Sequence, residues 1–370
     1  MNRNSRPAAG RAQPEPLPRR EFLAAAGSAA AFAGLSPLWA VAKDTAPASA
    51  AATKKPAGSP ESLVKVLYDT FTEEQRKAVC FDWDYQHPTK GLLRTRVENN
   101  WNITPQFLAG GISDPKKPRA PVDFSVKFYT DEQRDIVRAL WEGLITPEWQ
   151  PKIDQQLTDD AGGFGHEQSI AMFGKPGDDK YEFVMTGRHM TIRCDGNTAD
   201  HVAFGGPIFY GHAADGEFNE KADHPNNVFW PQALAANKLY QMLDGKQQKL
   251  ALIAKAPREQ AVAFRGASGI PGLPVSELSA DQKEHMQKVL ALLVEPYRKS
   301  DKDEALAALK KQGGLDKCTL SFYQEGDLGN DKVWDNWRLE GPAFVWHFRG
   351  TPHVHVWVNV ADDPSVKTNT

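Results

Sequence analysis

The chain has 370 residues, of which 25% are charged, and its formal net charge is −3. This near balance provides no basic surface for nucleic acid, and no segment after the N-terminal one is apolar enough to span a bilayer. The cysteines Cys80, Cys194 and Cys318 lie far apart without a CxxC motif. Their spacing argues against an iron–sulfur cluster, a zinc ribbon and a c-type haem, and it favours buried thiols over a disulfide, although one disulfide is possible.

The N-terminal segment has the features of an export signal. Arg19-Arg20 is followed by Phe22-Leu23, an alanine-rich stretch and the small-x-small sequence Ala40-Val41-Ala42. The apolar run is shorter than the ~20 residues that a spanning helix needs. We therefore expect residues 1–42 to be a twin-arginine signal peptide, recognised by the twin-arginine translocase. The mature chain would then be a periplasmic or extracellular protein without membrane insertion.

Composition divides the rest of the chain into a spacer, a domain and a tail. Residues 43–61 are rich in Ala, Pro, Ser, Thr and Lys, which predicts a flexible linker. Residues 62–364 are long for one domain but within the range that a single core reaches. Residues 365–370 are predicted to form a short tail.

Several predicted helices begin with the same capping chemistry. Thr72, Thr130 and Ser279 each precede a glutamine by three residues, which predicts a capping box at each position. Apolar residues at helical spacing follow the second and the third box. Further helices are predicted at about residues 231–243 and 302–311.

Strand patterns cluster in two regions. Apolar and polar residues alternate through residues 181–212, around the turn sequence Asp195-Gly196-Asn197, and again through residues 318–360. Helices separate the two regions without the regular alternation of a doubly wound sheet. The predicted fold class is therefore α+β, with antiparallel β-hairpins in a sheet packed against several amphipathic helices.

The most informative segment is residues 352–360, PHVHVWVNV. Because successive side chains of a strand point to opposite faces, the valines form one face, and His353, His355 and Trp357 lie on the other. The valine face is predicted to belong to the core. Two histidines at positions i and i+2 of a strand direct both rings towards one point, which suits a transition metal such as zinc, copper or iron.

The preceding strand is predicted to add a third imidazole. If Gly350-Thr351-Pro352 is a three-residue hairpin loop, Arg349 faces His353 and His347 faces His355. Directly opposed residues lie close enough to share a metal ion. The alternative is a polar sheet surface on which histidine and valine alternate without function.

Other candidate residues lie outside this hairpin. In the segment 187–194 the strand pattern places His189, Thr191 and Arg193 on one polar face, so that His189 either completes the metal site or forms hydrogen bonds within the sheet. Glycine- and proline-rich loop sequence contains three additional candidate ligands, His166, His212 and His224. The candidate substrate-binding residues are Arg349, Arg193 and Trp357.

Four segments between about residues 62 and 364 form a recognisable pattern: GRHMTIRCDG, LYQMLDGKQQKLALI, IPGLPVSELSADQKEHMQKVLALLVEPY and LEGPAFVWHFRGTPHVHVWVNVADDP. In these segments the chain resembles a family of secreted bacterial proteins known as domain of unknown function 3500. The family pattern has paired histidines where this chain has Arg188-His189, and an acidic residue near His347, followed by the HxH of His353 and His355. The resemblance implies domain limits and site residues, but no reaction, because the family has no assigned activity.

The sequence therefore predicts an exported metal-binding protein. The first hypothesis is a metal-dependent enzyme, either a hydrolase or an oxidoreductase, whose substrate and catalytic residues are unknown. No GxSxG elbow, P-loop or HExxH motif occurs. The alternatives are a non-enzymatic protein that binds a small molecule or a glycan, and a metal-sequestering protein.

Overall fold

A computed structural model describes residues 56–109, 127–214, 226–267, 269–329 and 333–370. The predicted signal peptide, residues 43–55 of the predicted linker and His224 lie outside the described residues. The first helix begins at Pro60 behind the N-cap Ser59, so Pro60 and Glu61 belong to the folded domain and not to the linker. Among the helices of the described ranges, none has the length and apolarity needed to cross a membrane.

Hydroxyl and glutamine side chains fix the starts of several helices. The predicted capping boxes at Thr72 and Thr130 are confirmed, and the Gln282 side chain accepts a hydrogen bond from Ser279 N at 2.9 Å. The two helices predicted without a capping box are also present. In the described residues the α-helices are α1 (Pro60–Thr70), α2 (Glu73–Val79), α3 (Asp131–Leu144), α4 (Gln150–Ala161), α5 (Trp230–Met242), α6 (Gly245–Ala251), α7 (Ala280–Val294) and α8 (Lys299–Lys311).

Most strands join one mixed sheet, and the predicted α+β class is confirmed. The strands are β1 (Cys80–Phe81), β2 (Gln86–His87), β3 (Gly91–Leu92), β4 (Gln168–Gly174), β5 (Tyr181–Gly187), β6 (Met190–Cys194), β7 (Ile208–His212), β8 (Leu252–Ile253), β9 (Leu273–Pro274), β10 (Thr319–Tyr323), β11 (Asn336–Gly341), β12 (Phe344–Arg349) and β13 (Val354–Val360). The large sheet has the order β1-β4-β5-β6-β7-β13-β12-β11-β10-β8, with β9 also paired to β10, while β2 and β3 form a separate hairpin. The two predicted strand regions meet where β7 pairs antiparallel with β13.

Both faces of the large sheet are covered. One face packs against the helices in the main hydrophobic core, to which β13 contributes all four of its valines, as the alternation predicts. On the other face, smaller clusters form around Trp101, around Val262 with Trp357, and around Ala361. The C-terminal residues also pack here, since the amide of Asn369 donates to Leu92 O at 2.9 Å. The polar face of the sheet is therefore an interior and not a solvated surface.

The register of the β12–β13 hairpin differs from the prediction. Arg349 pairs with His355 and His347 pairs with Trp357, so the predicted three-residue loop is wrong. Each residue of β12 pairs with a residue two positions further along β13 than predicted. Gly350 N donates to Asn336 Oδ1 and to the carbonyl of the neighbouring Asp335, and Pro352 has no N–H with which to extend the ladder. A shift of two residues leaves every side chain on its predicted face.

His189 occupies a turn and not the strand that the pattern predicted. The two residues Arg188 and His189 connect β5 to β6, while the Asp195-Gly196-Asn197 turn begins the longer connection to β7. His189 has a φ of 53°, in the left-handed region where histidine is one of the more frequent non-glycine residues. Its backbone N donates to Asn100 Oδ1 at 3.1 Å, which holds the turn against the outer face of the sheet.

The three cysteines are all free. Cys194 and Cys318 are buried, as small apolar side chains would be, and Cys80 is half-buried. The disulfide that the sequence left open is therefore not formed.

Candidate metal centre

Three histidines from distant parts of the sequence meet inside the sheet. The Nε2 atom of His355 lies 3.1 Å from Nε2 of His189 and 2.9 Å from Nε2 of His353. The potential ligand atoms of the three all lie within 4.8 Å of one another. All three side chains are buried. We call His189, His353 and His355 the three-histidine group.

The pairing of β6, β7 and β13 creates this juxtaposition. Met190 pairs with Tyr210, and Tyr210 pairs with Val356. Continuing both registers by one residue places His189 beside Gly211, which pairs with His355. Since Gly211 has no side chain, the ring of His189 lies over its backbone and reaches His355. A Cβ atom at this position would stand 3.2 Å from Cδ2 of His189 and would collide with the carbonyl oxygen of Val354.

Asp160, on the last turn of α4, fixes the orientation of His189. Its Oδ2 accepts hydrogen bonds from Nδ1 of His189 and Nε2 of Gln156, each at 2.7 Å, and its Oδ1 accepts from Ala213 N at 3.0 Å. Burial disfavours the ionised form of Asp160, but its interactions with His189, Gln156 and Ala213 outweigh burial and lower its pKa. A carboxylate therefore faces Nδ1 of His189, leaving Nε2 to face the other two histidines.

Glu259 has the corresponding role at His355. Its Oε2 accepts from Nδ1 of His355 at 2.9 Å and from Nε1 of Trp357 at 3.3 Å. Nε of Arg349 lies 3.3 Å from the same oxygen. A carboxylate on the outer ring nitrogen of a histidine is the usual support of a metal ligand, because it fixes the tautomer and the ring orientation.

The resulting proton positions favour a cation at the centre. With their hydrogens on Nδ1, His189 and His355 direct the lone pairs of Nε2 towards each other across 3.1 Å. Two such lone pairs repel unless a proton or a metal ion lies between them. A metal at about 2.0–2.1 Å from each nitrogen would separate tetrahedral ligands by about 3.3 Å, a few tenths of an ångström more than the separations of Nε2 of His355 from Nε2 of His189 and of His353. The group thus fits a transition metal after a small outward movement.

The electrostatic surroundings favour the neutral form of His353 and His355. Burial lowers the pKa of His353 to about 3, with further contributions from His189 and Arg349. Burial and Arg349 also hold the pKa of His355 well below its usual range. Neutral imidazole is the form that binds a metal.

The structure places His347 outside the three-histidine group. It lies on β12 opposite Arg338 and Trp357, with its ring centroid 6.1 Å from that of Tyr323. Burial, followed by the charges of Arg338 and Arg349, holds its pKa well below the usual range. His347 is on the same sheet face as His355, but it pairs with Trp357, which is two residues beyond His355 on β13.

His166 and His212 also lie outside the group, and His212 is in a strand and not in the predicted loop. His212 ends β7, where its Nδ1 accepts from Val228 N at 3.2 Å and its Nε2 donates to Asp159 Oδ2 at 3.1 Å. Both ring nitrogens of His212 are therefore engaged by the protein. His166 is half-buried in the loop between α4 and β4.

The three residues proposed to bind substrate have different surroundings. Arg193 is fully buried, donating to Glu182 Oε1 at 2.8 Å and to the carbonyl of Pro207 at 2.7 Å. Through these contacts Arg193 links parts of the protein interior to one another. Arg349 and Trp357 both contact Glu259, so they adjoin the three-histidine group and help to hold its supporting carboxylate.

Sequence reasoning missed Asp160, Glu259 and Gly211. The two carboxylates lie on a helix end and in a loop far from the histidines in sequence, and no local pattern marks them. Gly211 stands in the strand-like run IFYGH, where an isolated glycine signals a close approach of another group. That signal was present but did not identify what approaches.

The comparison with protein families agrees with the sequence resemblance. A family model described as "Protein of unknown function (DUF3500)" matches residues 53–362. The chain belongs to the DUF3500 family. No curated protein and no solved structure matches this DUF3500 protein.

Proposed function

We propose that this DUF3500 protein is an exported metal-dependent enzyme that binds one transition-metal ion through Nε2 of His189, His353 and His355. The observation that carries the proposal is the convergence of these three nitrogens, with carboxylates behind two of the rings. Three protein ligands with further coordination positions for water or substrate are typical of catalytic metal sites, whereas structural sites are closed by four.

Two kinds of chemistry suit this set of ligands. Zinc held by three imidazoles supports hydrolysis by activating water, and copper or iron in the same set supports oxidation. In either case the roles of the protein residues are the same. Asp160 and Glu259 keep the ligand rings oriented, and Arg349 holds Glu259 through the contacts described above.

Metal content tests the proposal. The mature protein, exported in its host and purified without a histidine tag, should contain a stoichiometric transition metal by plasma mass spectrometry. The His353→Ala/His355→Ala double variant should contain none while keeping its circular dichroism spectrum. Absence of metal in the parent, with no uptake of added zinc, copper or iron, would overturn the proposal.

His347→Gln is the matched control. It changes a buried histidine on the same sheet face that lies outside the three-histidine group, so metal content should be retained. Equal loss of metal in His347→Gln and in the double variant would show that general damage to the sheet, and not removal of ligands, explains the result.

Burial of the group favours a second candidate function, metal sequestration without turnover. The three imidazoles are only 1–4% exposed, so an ion among them would be shielded from solvent. Chelator competition and turnover distinguish the candidates. A sequestering protein should release its metal slowly and convert no substrate of a hydrolytic or oxidative panel, whereas the enzyme should turn over a member of that panel only when metal is bound.

The proposed export rests on the N-terminal sequence alone. Replacing Arg19-Arg20 by lysines keeps the charge but removes the pair that the twin-arginine translocase reads. We expect the precursor of this variant to accumulate in the cytoplasm while the parent is processed and exported. Unchanged export of the variant would refute the twin-arginine route without affecting the metal proposal.

A further inference from the structure

A cavity of about 400 Å³ lies at the ends of α5 and α6, beside the loop that follows β10. Its lining includes Tyr240, Trp334, Gln241, Gln248 and Asp327. The volume is within the range of small-molecule sites. Among the described lining residues there is no member of the three-histidine group, so this cavity is separate from the proposed metal centre.

Two aromatic rings form a corner of the cavity. The ring centroids of Tyr240 and Trp334 are 6.0 Å apart, and the ring planes meet at 80°. Both side chains are half-buried, although the domain has ample core in which to enclose aromatic rings. Half-buried aromatic rings offer an apolar face to a ligand at a small cost in conformational entropy.

Buried partners hold this corner in place. Asn237, which is only 2% exposed, accepts from Trp334 N at 2.6 Å and donates to Trp334 O at 2.9 Å. The ring of Tyr240 packs edge-on against Phe322 with centroids 4.9 Å apart. The Gln248 side chain donates to Tyr240 O at 3.3 Å. The rings are therefore fixed before any ligand arrives, which reduces the entropy lost on binding.

The polar lining identifies the chemistry of the ligand. Gln241 and Gln248 provide side-chain amides that both donate and accept, and Asp327 provides a carboxylate. The carboxylate of Asp327 repels an anionic ligand, which favours a neutral one. Amides and a carboxylate around an aromatic corner suit a ring with apolar C–H faces and a rim of hydroxyl groups.

We propose that this cavity binds a neutral sugar unit of an oligosaccharide. One C–H face of the sugar ring packs on Trp334 or Tyr240, and its hydroxyl groups form hydrogen bonds with Gln241, Gln248 and Asp327. Several hydrogen-bonding side chains and the size of the cavity favour a sugar over a compact quaternary ammonium ion, which would need aromatic faces enclosing a single point charge. The site is independent of the metal.

Fluorine NMR of protein labelled with 5-fluorotryptophan tests the inference. The resonance of Trp334 is assigned by its absence in Trp334→Phe, and that of Trp83, packed under Arg94 elsewhere in the fold, by its absence in Trp83→Phe. Glucose, maltotetraose, cellotetraose and chitotriose are the probes. At least one should shift the Trp334 resonance saturably and leave the Trp83 resonance in place.

Two lining variants test the contacts in the parent fold. Trp334→Ala and Gln241→Ala should each weaken binding of that sugar by about tenfold in calorimetry, the effect of losing one stacking or hydrogen-bonding contact. If Trp334→Ala fails to fold, Gln241→Ala, at an exposed position near the end of α5, still decides the matter. The His353→Ala/His355→Ala variant should bind the sugar normally.

Two results would overturn the inference. One is that none of the four sugars shifts the Trp334 resonance at concentrations that saturate ordinary sugar sites. The other is that choline shifts it and the sugars do not, which would make the corner a cation site.

Discussion

At the scale of single residues, the three-histidine group depends on what lies behind each ring. When two neutral imidazoles direct their Nε2 lone pairs towards each other, the lone pairs repel unless a proton or a metal ion lies between them. Asp160 and Glu259 direct the Nε2 atoms of His189 and His355 inwards by accepting from their Nδ1 atoms at 2.7 and 2.9 Å. The HxH motif pointed to two of the three histidines that meet, and it could not reveal the two carboxylates, which lie at a helix end and in a loop.

The first prediction concerns Glu259. Glu259→Gln keeps the shape of the side chain but replaces the carboxylate that accepts from His355 with a weaker, neutral amide. Loss of such support typically costs 10–100-fold in metal affinity, and we expect a loss of about this size. Competition with a chromophoric chelator measures the affinity directly.

Glu98→Gln is the control for this substitution. Glu98 forms ion pairs with Lys90 and Arg96 and has no contact with the three-histidine group. It should leave metal affinity unchanged. Unaltered affinity in Glu259→Gln as well would contradict the role assigned to Glu259.

At the scale of elements, the alternation of β13 was predictable because a strand has a period of two. The valines lie in the core and His353 and His355 lie on the opposite face, as alternation requires. The loop length was not predictable, because it depends on contacts of Gly350 with Asn336 and the neighbouring Asp335 in another hairpin. His347 consequently pairs with Trp357 and lies away from the group.

The position of His189 illustrates a second limit. Alternation predicted a strand at His189, but a two-residue turn at Arg188-His189 stands there. The three-histidine group forms only because particular strands are neighbours in the sheet. The pairing of β7 with β13 joins segments that are more than a hundred residues apart in the sequence. A single sequence carries no local signal for such a pairing.

The second prediction concerns Gly211, which lies between His189 and His355. Gly211→Ala would place a methyl group against the carbonyl of Val354 and 3.2 Å from the His189 ring. We expect a loss of about 1–3 kcal/mol in the free energy of unfolding, the usual cost of overpacking, together with weakened metal binding. Urea denaturation and metal titration measure the two effects.

Gly245→Ala is the matched control for Gly211→Ala. A Cβ atom on Gly245, at the start of α6, would meet nothing within 4 Å. This variant should be as stable as the parent or slightly more so, because alanine favours a helix. Normal stability and normal metal binding in Gly211→Ala would contradict the packing described between β7 and β13.

At the scale of the whole molecule, one sheet unites the two strand regions and is enclosed on both faces. The sequence predicted the α+β class because hairpin patterns and amphipathic helices are each local features. It did not predict that the polar face would be covered, since the covering segments around Trp101 and Val262 have no regular pattern. Because this face is enclosed, its polar strand residues are buried and need hydrogen-bond or charge partners.

The third prediction is that metal binding stabilises the whole fold. A ligand that binds only the folded state adds about 2.7 kcal/mol at a free concentration of 100 times its Kd. Thermal denaturation of the metal-stripped protein should therefore shift upwards when the native metal is restored. The His353→Ala/His355→Ala variant should show no shift, and an equal shift in both proteins would indicate binding elsewhere.

The fourth prediction concerns the pH dependence of stability. Glu304 on α8 accepts from Phe204 N at 2.9 Å, and burial raises its pKa to about 7, with smaller contributions from Asp195 and Asp301. The folded state therefore keeps a proton that the unfolded chain loses near pH 4.5. Its stabilising contribution is complete below that pH and disappears as the pH rises to about 7.

Glu304→Gln isolates this effect. The amide oxygen still accepts from Phe204 N but does not ionise, so stability should vary less between pH 4.5 and about 7. Above neutrality the variant should be more stable than the parent by on the order of 2 kcal/mol, allowing for partial solvent screening. Urea denaturation across this range measures the slope. The exposed Glu148→Gln serves as control, and parallel slopes for the parent and Glu304→Gln would contradict the assignment.

The most direct test of the central claim is anomalous X-ray diffraction from crystals of the protein purified with its native metal. Data collected above and below the absorption edge of the metal should give one strong peak at about 2.0–2.2 Å from Nε2 of His189, His353 and His355. A metal peak bound by other residues, with the three histidines still in mutual contact and no density between them, would contradict the account.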